Sequence, residues 1–89
     1  MKAIVTVVGK DQVGIIAAVC VHLASYNVNV LDISQTVMQG YFTMMMAVDT
    51  SKSEIPFAEL AKKLDAKGEE MGMSIRLQRE DIFEAMHRV

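Results

Sequence analysis

The stretch VNVLDISQTVMQGYFTMMMAVD, residues 28–49, decides the fold of this chain. Val28 to Gln39 alternates apolar and polar side chains over part of its length, and Tyr41 to Asp49 continues as a second β-rich run. Between them, Gln39 and Gly40 form a short connection that contains glycine, which is typical of a hairpin turn. The sequence therefore predicts two antiparallel strands joined by a tight turn.

The residues before the hairpin predict one strand and one helix. Lys2 to Val8 is short and rich in β-branched residues, and the turn-forming residues 9–12 follow it. In Val13 to Tyr26, apolar residues recur at positions 16, 19, 20 and 23, the spacing of one helical face. We therefore expect a strand that ends at Val8, a loop, and a helix with Ile15 and His22 on its outer side.

The residues after the hairpin predict a helix, a strand and a short tail helix. Pro56 suits a first helical turn, and apolar residues repeat at helical spacing from there to about Lys67, with Gly68 at the C-terminal end. Met73 to Gln78 alternates like a half-buried strand. A third, short helix is expected over about residues 80–87, where positions 82, 83 and 86 are apolar.

The predicted order is strand, helix, strand, strand, helix, strand, followed by the tail. This order is that of an α+β, ferredoxin-like βαββαβ fold, with a four-stranded antiparallel sheet and two helices on one face. With 89 residues, the chain is expected to form a single domain over 1–89. The first strand is apolar on both faces, so we expect the tail helix or a second chain to cover the outer face, and we favour a homodimer.

Composition and charge restrict the possible partners and location. Nine basic against eleven acidic residues give a formal net charge of −2, which disfavours nucleic acid as a partner. The apolar runs at residues 3–8 and 13–21 are shorter than a secretion signal or the ~20 residues of a membrane span. The single cysteine, Cys20, cannot form an intramolecular disulfide. A cytoplasmic protein with no membrane attachment is the expectation.

Candidate catalytic and metal-binding residues do not combine into a site. Cys20 and His22 lie roughly 200° apart around the predicted helix, so they cannot share a metal or act as nucleophile and base. The second histidine, His87, is far along the chain. Asp32, a carboxylate within a predicted strand, is expected to be solvated or to lie at an interface. Met44 and Met46 suit core packing. The prediction is a protein that is not an enzyme and holds no metal or cofactor.

Several motifs together resemble the ACT domain. They are GKDQVGII at residues 9–16, NVNV at 27–30, ISQ at 33–35, the strand at 42–46 and EDIFEAMHR at 80–88. The last three narrow the resemblance to small stand-alone ACT proteins of largely uncharacterised function, related to the glycine cleavage repressor. The resemblance implies a regulatory module that pairs with another ACT domain and holds an amino acid at the paired interface.

The resemblance also implies a ligand site in the loop after the first strand. It assigns ligand contact to the positions that match Asp11, Gly14 and Asn29, and the loop residues Gln12, Val13 and Ile15 complete the predicted site. Elementary chemistry agrees, because unpaired N–H groups at the start of a helix attract a carboxylate and an aspartate attracts an ammonium group.

Each of these residues also has a structural alternative. Asp11 can cap the helix, Gly14 can allow close packing against the sheet, and Asn29 can be a turn or edge residue. The alternative function is a protein–protein interaction module that has the same fold, binds no ligand, and pairs with other ACT domains through a sheet edge.

Overall fold

A computed structural model describes residues 1–81 of the protein. Its secondary-structure elements, in chain order, are β1 (Lys2–Lys10), α1 (Ile15–Ser25), β2 (Asn29–Met38), β3 (Tyr41–Asp49), α2 (Phe57–Met71) and β4 (Ser74–Arg79). The strands form one antiparallel sheet in the order β2-β3-β1-β4. This arrangement confirms the predicted ferredoxin-like fold. Beyond Asp81, the predicted tail helix lies outside the described residues, and in the part that is described no helix is long and apolar enough to span a membrane.

The core lies between the sheet and its two helices. Alternate residues of β1 and β3 point into it, and both predicted core methionines, Met44 and Met46, are fully buried. The helices contribute Val19, Leu23, Leu60 and Leu64, which are also fully buried. Alternate side chains of the strands and one face of each helix therefore pack together in a single apolar layer.

The hairpin has the turn that its sequence predicts. Gln39 and Gly40 both have positive φ, 52° and 81°, which places the two-residue turn in the type I′ class that matches strand twist. The register of β2 on β3 shifts by one residue between Val30 and Asp32, so a β-bulge interrupts the alternation of β2.

The predicted end of the first strand is wrong. β1 continues through Gly9 and Lys10, which pair with Phe42 and Tyr41 at the start of β3. Gly9 serves packing here rather than a turn, because an added Cβ would lie 2.9 Å from the Met73 side chain. Cross-strand pairing with β3 thus overrides the local turn signal.

The first helix is shorter than predicted, and a different set of its side chains faces the core. It begins at Ile15, because the preceding Gly14 has φ of +85° and cannot be helical. Its buried stripe is Ile15, Val19 and Leu23, so the predicted outer position of Ile15, which is 3% exposed, is wrong. His22 is half-buried, with Nε2 3.3 Å from the carbonyl oxygen of Lys63.

The second helix runs past its predicted end. Gly68 lies inside α2 and is buried, whereas Gly72 has φ of +71° and ends the helix. The N–H groups of Gly72 and Met73 donate to the carbonyls of Glu69 and Gly68, respectively. These two carbonyl groups of the last turn therefore have hydrogen-bond partners. The two glycines therefore have different roles, Gly68 in packing and Gly72 in termination.

One side of the molecule is apolar and exposed among residues 1–81. The exposed stripe of α1 contains Ala17, Val21 and Ala24, and Val21 is 69% exposed. Val13, in the loop before the helix, is exposed as well. Beside it, the edge strand β2 exposes Ile33 and Val37, whose partners on β3 are the buried Met46 and Phe42. Paired residues share a face of the sheet, so Ile33 and Val37 lie on the helix side, next to α1.

Candidate ligand site

The loop between β1 and α1, residues 11–14, is tied to two other parts of the chain. The Asp11 backbone N–H donates to the Gly40 carbonyl at 2.9 Å, which joins the loop to the hairpin turn. The Gln12 side-chain amide donates to the Met71 carbonyl at 3.0 Å, which joins the loop to the end of α2. The loop is thus held at both sides although its residues are exposed.

Two of the structural alternatives for this loop are wrong. Gly14 is the N-cap residue of α1, and no side chain caps the helix, so Asp11 does not act as the cap. No atom lies within 4 Å of a Cβ built on Gly14, so the glycine does not serve close packing against the sheet. Its positive φ is the feature that requires glycine.

A cavity of about 410 Å³ opens beside the loop. Loop and helix residues form one wall, and β2 and β3 form the other, through residues that sequence reasoning missed: Gln35, Thr36, Val37 and Phe42. The alternation of β2 was the available signal, because Gln35 pairs with the buried Met44 and so lies on the helix side. Asp11 is the only charged residue in the cavity wall as described.

The predicted loop residues do not contribute equally. Gly14 and Ile15 line the cavity, but the Ile15 side chain is buried in the core, so a ligand would meet its backbone. Val13 does not line the cavity and projects fully into solvent. Gln12 lines it with its side-chain nitrogen already donating to Met71.

Asn29 is not near this loop within one chain. It lies at the start of β2, paired with Asp49, whereas the cavity-lining Thr36 pairs with Thr43 near the hairpin turn. Seven residues of strand correspond to roughly 23 Å. Asn29 instead lines a second cavity of about 370 Å³ at the other end of α1, together with Ala24, Asn27, Val28, Asp49, Ser51 and Lys52.

The Asp49 carboxyl group, in the wall of this second cavity, has a lowered pKa. The Ser51 backbone N–H donates to Asp49 Oδ1 at 2.9 Å, and this hydrogen bond lowers the pKa of the carboxyl group below its ordinary value. The N-terminal ammonium, 3.6 Å from the same oxygen, acts in the same direction. Residues 1–81 contain no group of three metal-ligating side chains, and Cys20 is a half-buried free thiol.

The fold and the cavities define a small α+β module suited to binding. The profile of the ACT domain family matches residues 2–78. The chain is also 54% identical to a UPF0237 protein of Bifidobacterium longum over 88 residues, 99% of this chain and 98% of that one. The chain therefore belongs to the ACT domain family, whose members are regulatory, ligand-binding modules.

Solved structures agree with this assignment. An ACT domain protein from Streptococcus pneumoniae is 45% identical, superposes with a TM-score of 0.83 and covers 98% of each chain. A candidate glycine cleavage system transcriptional repressor shares the fold, with a TM-score of 0.74 and 18% identity over 86% of this chain and 44% of that one. The predicted membership of a small stand-alone ACT group is confirmed, and the similarity to that repressor is one of fold.

Proposed function

We propose that this protein is a cytoplasmic, homodimeric sensor that binds an amino acid between two copies and acts by binding rather than catalysis. The observation that carries the proposal is the separation of the predicted site residues. Asp11 and Asn29 lie at opposite ends of β2, and β2 is an open edge of the sheet. Pairing of two such edges would bring Asp11 of one copy close to Asn29 of the other.

The loop half of the site suits the charged ends of an amino acid. The first turn of α1 has N–H groups without helical partners, and these attract a carboxylate. Gly14 lies at this turn and leaves the backbone open on its Cα side. The Asp11 carboxylate, at the cavity wall, suits an ammonium group. We therefore assign the ligand's main-chain groups to Asp11, Gly14 and the backbone of Ile15, with Gln12 holding the loop through its hydrogen bond to Met71.

A twofold pairing through β2 supplies the other half. Strands related by such an axis run antiparallel, so the start of one β2 lies beside the end of the other. Asn29 of the partner subunit then lies near Val37, which lines the loop cavity. The same pairing covers the exposed apolar side chains of α1 and β2, Val21, Ile33 and Val37 among them.

Thermal melts with a panel of amino acids test ligand binding. A ligand at ~100 times its Kd adds about 2.7 kcal/mol, and a domain of this size shifts by roughly 4 to 8 °C per kcal/mol. We expect one chemical class to raise Tm, and Asp11→Asn and Asn29→Ala each to reduce that rise. Lys62→Ala, on the exposed face of α2, is the matched control. A rise that both site variants retain in full contradicts the proposed site.

The alternative function, an interaction module without a ligand, is favoured by the same open edge. β2 has ten residues, and its outer side is unpaired in the described chain. Such an edge accepts a strand from another protein as readily as from a second copy. A panel with no shift in Tm, together with mixed dimers formed with another ACT protein, would support this function over amino-acid sensing.

A further inference from the structure

We propose that the cavity at the C-terminal end of α1 is a separate binding site for a small zwitterion, with Asp49 accepting from its ammonium group and Lys52 donating to its carboxylate. The site lies within one chain. It uses no residue of the loop between β1 and α1 and requires no second copy, and it shares only Asn29 with the site proposed above, so it goes beyond that function.

Two short segments form the walls of this cavity and are fixed to each other. Residues 26–29 leave α1, and residues 49–52 leave β3. The Asn27 side-chain amide donates to the Lys52 carbonyl at 3.1 Å, and the Glu54 N–H donates to the Tyr26 carbonyl at 2.9 Å. Asn27 has φ of 62°, a conformation that asparagine tolerates better than most residues. The walls are therefore in place before any ligand binds.

The anionic group of the cavity is held ionised and oriented. Ser51 N–H donates to Asp49 Oδ1, and the Met1 ammonium lies near the same atom, so the second oxygen is the one that a ligand's ammonium would meet. The C-terminal end of α1 adds partial negative charge on the same side. The hydrogen bond from Ser51 lowers the pKa of Asp49 and so favours its charged form.

The complementary positive and polar groups are available. Lys52 is exposed and forms no ion pair in the described part of the chain. Asn29 is exposed at the rim, where its amide provides a donor and an acceptor. Opposite charges within one cavity match a molecule that carries both an ammonium and a carboxylate group. A volume of about 370 Å³ is large enough for a free amino acid.

Glycine and two of its derivatives test the proposal by ¹⁵N–¹H NMR titration of the full chain. N-acetylglycine lacks the ammonium group, and glycinamide lacks the carboxylate. We expect glycine to shift the amide signals of Asn29, Asp49, Ser51 and Lys52, and both derivatives to leave them in place. Equal shifts with either derivative, or glycine shifts absent from these residues, would overturn the proposal.

Matched variants separate this site from the loop site. Asp49→Asn and Lys52→Ala should each weaken glycine binding roughly tenfold or more, because a hydrogen bond to a charged group is worth at least that factor. Asp11→Asn and Lys62→Ala should leave it unchanged. If Asp49→Asn disturbs the fold, Lys52→Ala alone decides, since its side chain is exposed. Shifts confined to residues 11–16 would support the loop site and refute this one.

Discussion

At the scale of single residues, Gly14 connects the sequence motif to the start of α1. Its φ of +85° ends the loop and allows the helix to begin at Ile15. An L side chain at such a φ strains the backbone by roughly 1–2 kcal/mol. The space around it is open, since no atom lies within 4 Å of an added Cβ. Backbone conformation rather than crowding therefore determines what this position tolerates.

Gly14→Ala should lower the free energy of unfolding by about 1 kcal/mol, because alanine is strained at positive φ while nothing clashes with its methyl group. Urea denaturation measures the change. Gly14→Asn is the matched comparison and should cost less, since asparagine adopts the left-handed conformation more readily. Equal stability of the alanine variant and the native protein would contradict the assigned role.

At the scale of elements, the packing of α2 on β4 depends on a glycine inside the helix. A Cβ at Gly68 would lie 2.7 Å from the Met73 carbonyl oxygen and 3.0 Å from the Ile75 nitrogen. Both atoms belong to the backbone, which cannot move aside as a flexible side chain can. The helix and the strand can therefore approach closely only with glycine at this position.

Gly68→Ala should destabilise the protein by about 1–3 kcal/mol, although alanine is the better helix former by roughly 1 kcal/mol. The steric cost exceeds the gain in propensity, because the helix must move away from β4. Thermal or urea denaturation measures the effect. Glu69→Ala, an exposed position in the same helix, is the control and should change stability by less than about 0.5 kcal/mol. A stabilising Gly68→Ala would show that α2 can shift without loss.

At the scale of the whole molecule, two apolar surfaces compete for a partner. One is the α1 and β2 side, where Val37 is 54% exposed. The other is the outer face of the sheet, where Val8 is 43% exposed. The first surface contains the edge of β2 and the cavity beside the loop. The proposed dimer therefore uses the first surface.

Val37→Lys should convert the dimer to a monomer without unfolding the chain. The Val37 side chain is exposed in the single chain, and the proposed interface buries it in both copies. Burial of an apolar side chain contributes about 1.5–3 kcal/mol, so the loss in affinity should be at least about 100-fold. Light scattering at micromolar concentration measures the mass. Val8→Lys is the matched control on the outer face and should remain dimeric. The reverse result would indicate a sheet-to-sheet dimer instead.

The sequence determined the fold because its signals are local. Alternation in residues 28–49, the Gln39-Gly40 turn and the helical apolar spacing before and after them specify the elements, and neighbouring elements pair in order. The predicted ends of β1 and α2 were wrong, because contacts between residues distant in sequence determine them. β3 extends β1 through Lys10, and Met73 and Ile75 require Gly68 within α2.

The same division applies to the candidate site. The motif at residues 9–16 predicted Asp11 and Gly14 as site residues, because a loop before a helix is a local feature. Only the tertiary structure could bring Gln35 and Val37 of β2 to the Asp11 cavity and place Asn29 in another, beside Asp49 and Lys52. Those neighbours are set by the register and order of strands distant in sequence, and that geometry has no local pattern in the chain.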